Sequence, residues 1–475
     1  MVNEFIRTKI VCTIGPASED REILNEIIDK GMNVCRLNFS HGTHEEHQKR
    51  IDIIKELRSR KGLPIAILLD LRGPEIRTGN FEEKDIMLEI GQKFTITMDD
   101  VLGNKERCTV TYKELIKDIA IGNRILIDDG LIELLVKEIT EKDIICEVIN
   151  SGIINNRKGV NVPGVKVKLP AVSDKDKNDI IFGIENDIDY IAASFVRKAE
   201  DIIEIKKILE KNDGEKIKII AKIENQEGVD NIAEILEVSD GIMIARGDLG
   251  VEVPIEQMPI LQREIIKACN KTSKPVIIAT QMLDSMMRNP RPTRAEVTDV
   301  ANAIFHGTDA VMLSGETAAG KYPIQSVETM YRIARAIENT IDFDENLRSK
   351  KQYKEVTVTN AISHATCITA SDLKAKAIIT ATASGYTARM VSSYRPESPI
   401  IAATNNDKTY MQVSLLWGVK PIKSPHVTGT EELIQSSVDE AMLHGHIDDG
   451  DLVVVTAGVP VGESGKTNLI KVHIA

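Results

Sequence analysis

Ile219-Ile220-Ala221-Lys222-Ile223-Glu224-Asn225 opens as an unbroken apolar run and closes on two opposite charges. A short apolar run of this kind is the signature of a strand buried on both faces in a parallel sheet. Successive side chains on a strand point to opposite faces, so Lys222 and Glu224 share one face. Neither charge is tolerated unpaired in a dry core. The two are either a buried structural pair or the lining of a cleft that binds something charged. Four other strand ends in the chain repeat the pattern, which favours the cleft.

Working outward, Lys9 to Gly15 reads as a strand, with Ser18 as the N-cap of a helix carrying Ile23, Leu24, Ile27 and Ile28 and ending at Gly31. Met32 to Phe39 is a second strand. Thr43 and Glu46 form a capping box at the start of a helix that ends at Gly62, and Pro64 to Leu71 is a third strand. The rhythm breaks between Gly73 and Pro170, where short Ile-, Val- and Thr-rich runs (85–90, 93–98, 124–127, 132–139 and 144–149) predict an inserted all-β unit. Strands then resume at 190–195, 218–223, 241–245, 275–279 and 310–313, with helical segments between them. Three strands before the insertion and five after make a closed (β/α)8 barrel, the TIM-barrel form of an α/β fold, the leading architecture. An open doubly wound sheet leaves the split unexplained. The polar segment 342–357 reads as a linker to a second α/β unit with strands at 377–380, 400–403, 418–422, 452–456 and 469–474. The expected division is 1–72 with 171–341 as barrel, 73–170 as lid, and 342–475 as a C-terminal regulatory domain.

The chain has 475 residues, 42% hydrophobic and 28% charged, with a net charge of −12. These are the proportions of a globular protein. An acidic balance without a long basic block argues against nucleic acid or an anionic membrane as main partner. No run reaches about 18 apolar residues, so no membrane span is expected. Six scattered cysteines without a CxxC spacing point to buried free thiols in a reducing, cytoplasmic compartment.

Reactive groups in such a barrel sit at the C-terminal ends of the strands. The second strand ends Arg36-Leu37-Asn38-Phe39-Ser40-His41, with Arg36, Asn38 and Ser40 on one face. The third ends Asp70-Leu71-Arg72, followed by Glu75 and Arg77. The fifth offers Lys222 and Glu224, the sixth Gly247 and Asp248, the seventh Thr280, and the eighth Ser314 and Glu316. Glu224 and Asp248, with other positions left to water or substrate, suit Mg2+ better than Zn2+. Arg36, Arg77 and Lys222 imply a substrate of high negative charge, and cations beside a Mg2+ site fit phosphoryl transfer. A set of structural ion pairs is the competing explanation. Gly465-Lys466-Thr467 resembles the end of a Walker A loop, but Pro460 stands where the first glycine is required. His44 and His47 follow a helix cap and are expected in solvent. Thr382, Ser384, Gly385 and Thr387 join a strand to a helix and form either a phosphate cradle or an ordinary turn. The loop from Gly462 to Asn468, with Ser464 and Lys466, is placed to close over them.

The stretches CTIGPAS (12–18), MNVCRLNFSHG (32–42), GPEIRTG (73–79), KIENQEG (222–228), ARGDLG (245–250), ATQM (279–282) and MLSGETA (312–318) together resemble the pyruvate kinase family over essentially the whole chain. The resemblance is to bacterial-type forms without the animal N-terminal extension or an extra C-terminal domain. It implies transfer of phosphate from phosphoenolpyruvate to ADP, giving pyruvate and ATP, in the last step of glycolysis. It implies that Arg36 grips the phosphoryl group, and that Lys222 stabilises charge on the phosphoryl group and the enolate. By the same resemblance Glu224 and Asp248 hold Mg2+, while Asn38, Ser40, Asp70 and the carbonyl of Leu71 hold K+. Gly247, Asp248 and Thr280 take the substrate carboxylate. Thr280 also belongs to the enolate protonation route, near Ser314 and Glu316. Asn38, His41, Arg77 and Lys158 are the nucleotide residues. A cytoplasmic homotetramer is implied, as is activation by a phosphorylated sugar or nucleotide bound at Thr382, Ser384, Gly385, Thr387 and Lys466. Leu71, Arg72 and Ala319 depart from residues common in relatives. Leu71 resembles K+-independent forms, whereas Glu75 and Thr78 resemble K+-dependent ones. Two other readings compete: a metal-dependent lyase or aldolase acting on an enolate without ADP, and a non-catalytic phosphosugar sensor.

Overall fold

A computed structural model describes residues 5–350, 354–461 and 465–475. Three barrel strands come first: β1 (Lys9–Thr13), β2 (Val34–Asn38) and β3 (Ala66–Asp70). Eight short strands follow: β4 (Ile86–Leu88), β5 (Lys93–Thr97), β6 (Arg107–Thr109), β7 (Arg124–Ile127), β8 (Ile132–Ile139), β9 (Asp143–Val148), β10 (Gly152–Ile154) and β11 (Val160–Asn161). The barrel resumes with β12 (Tyr190–Ala193), β13 (Lys218–Ile223), β14 (Gly241–Ala245), β15 (Val276–Ala279) and β16 (Ala310–Leu313). Last come β17 (Ala377–Ala381), β18 (Ile400–Thr404), β19 (Val419–Lys423), β20 (Leu452–Ala457) and β21 (Leu469–Ile474).

The eight barrel strands close in the order β1-β16-β15-β14-β13-β12-β3-β2, all parallel, which excludes the open sheet. Side-chain alternation sorts each strand into two cores. Ile220 joins Val11, Val34, Leu68, Met243 and Ile277 inside the barrel. Ile219, Ala221 and Ile223 face the surrounding helices. Lys222 lies two residues beyond Ile220, so it continues the inward face and emerges at the C-terminal mouth. This is why a charge is tolerated in so apolar a strand.

The inserted strands form a six-stranded sheet, β11-β7-β8-β9-β5-β6, beside the pair β10-β4. They bury their own core around Phe94, Ile96, Ile125, Leu134 and Val148. The chain enters this unit at Gly73, whose φ is +74° and where a Cβ would meet the Ser194 side chain at 2.8 Å. Only glycine fits such a close approach in that conformation. The C-terminal sheet runs β19-β18-β17-β20-β21, with β21 antiparallel. Leu415, in the short turn Val413–Leu415 before β19, enters the inner core of the barrel from the end opposite the mouth, and the Tyr190 hydroxyl donates to the Gln412 carbonyl at 2.5 Å.

Three local expectations are corrected. Asp20, not Ser18, caps the first helix, accepting from the Glu22 and Ile23 amides, while the Ser18 hydroxyl folds back to the Gly15 amide. The segment 342–357 is not all linker: Phe343–Lys350 is helical, and Leu347 is buried in the C-terminal core. Leu347, with Phe343 packed 6.1 Å from the Trp417 ring, anchors this turn in an otherwise polar run. His47 is not in solvent. It is 1% exposed, stacked on Phe39 at 3.9 Å, with Nε2 at 2.9 Å from the His41 carbonyl. His44 is part-exposed, with Nε2 at 2.7 Å from Asp179. The Thr43 capping box and the left-handed Gly62 cap form as read. All six cysteines are buried, and none forms a disulfide among the described residues.

Candidate active site

The polar ends of β2, β3, β12 and β13 converge at the barrel mouth. Asp70, at the end of β3, is the hub. Its Oδ2 accepts from Arg36 Nε at 2.6 Å, and its Oδ1 lies 3.1 Å from Lys222 Nζ. Lys222 Nζ also donates to Glu224 at 2.9 Å and to Ser194 Oγ at 2.7 Å. Glu224 accepts from the Phe195 amide at 2.6 Å. Asp70 and Glu224 are 0% and 1% exposed, while Lys222 and Arg36 keep 9% and 8%. The carboxylates are thus sealed, while the two cations keep a small exposure.

Burial penalises every charge here, and the neighbours decide the outcome. For Lys222 burial opposes the ammonium, but Asp70 and Glu224 outweigh it and hold the side chain above its ordinary value. Asp70 is likewise penalised by burial, yet Arg36 and Lys222 keep it below the usual carboxylate range. Burial dominates at Glu224 and, with Asp248 adding repulsion against the pull of Lys222, pushes it up to about 7. Burial also raises Asp248, with Lys222 opposing and Asp129 and Glu75 adding to the rise. Two raised carboxylates at adjacent strand ends both gain from a further positive charge beside them. Among the described residues no three His, Cys, Asp or Glu side chains gather into a cage. That donor set fits Mg2+, which keeps several waters and takes one or two carboxylates.

On the far rim, Thr280 holds a left-handed backbone, φ +69°, immediately after β15. Its Oγ1 accepts from the Gly247 amide at 2.7 Å. Arg246 fixes this turn by donating to the carbonyls of Ala279 and Thr280 at 3.3 and 2.7 Å and pairing with Asp299 at 2.5 Å. A strained non-glycine residue so tightly held is typical of a functional turn. Glu316 accepts from the Leu283 and Ser314 amides at 2.9 and 2.8 Å, and the Ser314 hydroxyl is buried without a partner among the described residues.

A cleft of about 360 Å3 runs between barrel and inserted unit, lined among others by Arg77, Lys158, Glu75, Asp128 and Asp248. Arg77 is paired with Glu75 at 2.6 Å, and Lys158 with Asp128 at 2.9 Å. Asn38 and His41 lie at the end of β2, outside that lining. Asn38 Oδ1 accepts from the Ser40 amide at 3.1 Å, and the Leu71 carbonyl accepts from Ser194 Oγ at 2.7 Å. A second cavity, about 100 Å3, is lined by Thr382, Ser384, Thr387 and Lys466. Gly385, φ +79°, starts the helix behind it. Thr387 Oγ1 lies 3.0 Å from Thr467 Oγ1. Gly462 and Ser464 lie outside the described residues.

Sequence reading missed Ser194 and Arg246. Ser194 has a signal in hindsight, a hydroxyl just after an apolar strand, but a lone serine there is common. Arg246 sits within a quoted motif without a role, because only the fold shows that its guanidinium reaches across to β15.

The model of the "Pyruvate kinase, barrel domain" family matches residues 5–327, and that of the "Pyruvate kinase, alpha/beta domain" family matches residues 360–473. A pyruvate kinase of Geobacillus stearothermophilus is 55% identical over 470 residues, which is 98% of this chain and 80% of the relative. One from Clostridium acetobutylicum is 54% identical over 469 residues, covering 98% and 99% of the two chains. A crystal structure of a pyruvate kinase from Cryptosporidium parvum superposes with a TM-score of 0.94 at 42% identity, covering 99% of this chain and 96% of that one. The closed barrel, the charged mouth and matches spanning nearly the whole length agree: this chain belongs to the pyruvate kinase family, and it is a phosphotransferase.

Proposed function

We propose that the chain transfers the phosphoryl group of phosphoenolpyruvate to ADP, giving pyruvate and ATP, with Mg2+ and K+ as its metals. The observation that carries this reading is the placement of Lys222 Nζ, held by Ser194, Glu224 and Asp70 within 3.1 Å beside Arg36. Two fixed cations at one mouth stabilise charge on a phosphoryl group in flight and on the enolate left behind. Because Asp70 locks both side chains before substrate arrives, little reorganisation is needed. Arg36 grips the phosphoryl oxygens. Thr280, with the Gly247 and Asp248 amides, receives the substrate carboxylate and belongs to the route by which the enolate is protonated. Arg77 and Lys158 draw the nucleotide phosphates into the cleft, with Asn38 and His41 at its edge. Glu224 and Asp248 hold Mg2+, which when bound neutralises oxygens of the transferring group. Asn38, Ser40, Asp70 and the Leu71 carbonyl hold K+, since these oxygens bring one formal negative charge and suit a monovalent ion.

The regions 1–72 with 171–341, 73–170 and 342–475 then act as catalytic barrel, lid and regulatory domain of a cytoplasmic homotetramer. A phosphorylated sugar or nucleotide bound at Thr382, Ser384, Gly385, Thr387 and Lys466 activates by favouring the active state. The direct test is pyruvate release from phosphoenolpyruvate with Mg2+ and K+, with and without ADP. Turnover only with ADP is expected, and pyruvate formed at equal rate without it would move the chain to the lyases. Replacing Ser384 and Thr387 by Ala is expected to remove effector activation and spare basal turnover; full activation in that variant would place the effector elsewhere.

A further inference from the structure

At the end of the barrel opposite the mouth, a seam between barrel and C-terminal domain gathers positive charge. A small cavity, about 10 Å3, is lined by Ser273, Lys274 and Asp309 from the barrel and by Arg389, Ser393 and Arg395 from the C-terminal domain. Lys354 Nζ spans its edge, 2.5 Å from Ser273 Oγ and 2.7 Å from Ser393 Oγ. Lys218 lies beside the start of the helix Tyr386–Ser392 that carries Arg389, its Nζ 3.8 Å from where a Cβ on Gly385 would stand.

The carboxylates of the seam are already committed. Asp309 accepts from Arg395 Nη1 at 2.7 Å and from the Val276 amide at 3.0 Å. Asp240 accepts from the Ile219 amide at 2.9 Å. Lys274 donates to the carbonyls of Leu236, Glu237 and Ser239, and among the described residues Arg389 donates only to the Ser273 carbonyl, at 3.3 Å. Among the described residues none of Lys218, Lys274, Lys354 and Arg389 has a carboxylate within 4.0 Å. Among the described residues Arg395 Nε is buried without an acceptor. Carbonyls and hydroxyls satisfy hydrogen bonds but do not cancel charge, and an excess of buried cations is costly. Burial and the neighbouring guanidiniums press Lys354 down to about 7, and burial with Arg389 presses Lys274 to about 8.

We infer that this seam binds one small inorganic anion, seated among Arg389, Arg395 Nε and Lys354, with Lys274 adding positive charge alongside, which fastens the C-terminal domain to the barrel. The cavity has room for one centre of about the size of a water, so it takes a halide or one oxygen of a phosphate, not a sugar phosphate.

Crystals of the full chain soaked in sodium bromide test this directly, because bromide scatters anomalously. A peak within hydrogen-bond reach of Arg395 Nε and Arg389 is expected. A seam empty in both bromide- and phosphate-soaked crystals overturns the inference. In solution, thermal unfolding in sodium gluconate is compared with added sodium chloride or sodium phosphate. A saturable rise in Tm of about 1–3 °C is expected. A response to chloride alone identifies a halide, and one to phosphate alone identifies the oxyanion. Lys354→Met is expected to raise Tm in gluconate, by removing repulsion, and to blunt the anion response. Equal salt responses in variant and wild type would show a general salt effect and overturn the inference; the bromide measurement stands even if the variant does not fold.

Discussion

The two ends of the barrel hold charge in opposite ways. At the mouth, Arg36 and Lys222 share Asp70, and Glu224 completes the set. At the far end, Lys218, Lys274, Lys354 and Arg389 crowd together without a carboxylate of their own among the described residues. A paired set is rigid before any ligand binds, as phosphoryl transfer requires. An unpaired set is held together by an ion from outside, which suits a joint between domains. The difference shows that a buried cation is informative through its partners rather than through its burial.

Breaking the pairing at the mouth is expected to have the largest effect. Asp70→Asn leaves Arg36 and Lys222 without their shared counter-charge in a fully buried site. A loss of about 3–5 kcal/mol is the usual result of removing one partner of a buried pair. The midpoint of urea unfolding, with slope unchanged, measures it. Lys222→Met keeps the length of the side chain and removes the charge, so folding is expected to survive. Turnover should fall on the order of 10²-fold or more, as when an oxyanion donor is lost, with a much smaller change in KM for phosphoenolpyruvate. Near-native turnover would remove Lys222 from the chemistry.

A subtler change sharpens the comparison at the edge of the mouth. Glu75 accepts from Arg77 Nε at 2.7 Å and lies 3.4 Å from Arg72. Glu75→Lys supplies a positive charge near the proposed K+ ligands. Two unit charges 4 Å apart exchange about 4 kcal/mol at an effective dielectric of 20, so a fraction of that reduces K+ stimulation by about tenfold. Initial rates in potassium and tetramethylammonium gluconate measure it. Gluconate keeps small anions away from the seam, so the cation is the only variable. Undiminished K+ stimulation would show that Leu71, not Glu75, is the better guide.

A change spread gradually over several pH units concerns the seam. Lys354 lies at about 7 in the folded chain, lowered by burial and by Arg395 and Arg389, against an ordinary 10.5. Lys274 and Lys218, at about 8, face the same guanidinium, with Asp240 and Asp309 opposing. Between about 7 and 10.5 the unfolded chain therefore holds protons that the folded chain has released. Stability is expected to rise with pH across that interval in gluconate, by at most about 1.4 kcal/mol per pH unit for each lysine. Lys354→Met should flatten part of the slope, and a saturating anion should flatten more. A wild-type slope equal to that of the variant would remove Lys354 from the coupling.

The strand pattern was legible because parallel strands buried on both faces write themselves as apolar runs bounded by glycine, proline and polar residues. All eight barrel strands fall where those runs fall, and the inserted β unit stood out as a change of period. Lys222 and Glu224 were legible as partners because a strand places them on one face, and they lie 2.9 Å apart. Local composition carried less where the deciding contact is distant. Ser194 and Lys222 are 28 residues apart and meet at 2.7 Å only because β12 and β13 are neighbours. His47 follows a polar cap, yet Phe39 covers it. The seam illustrates the limit most clearly, since Lys354, Arg389 and Arg395 come from the C-terminal region and Lys274 from the barrel. Sequence alone determined periodicity, face and likeness of motif, which are properties of neighbours along the chain. Tertiary structure alone decided which charges are paired, because pairing depends on distances between segments that the chain leaves free until the core has packed.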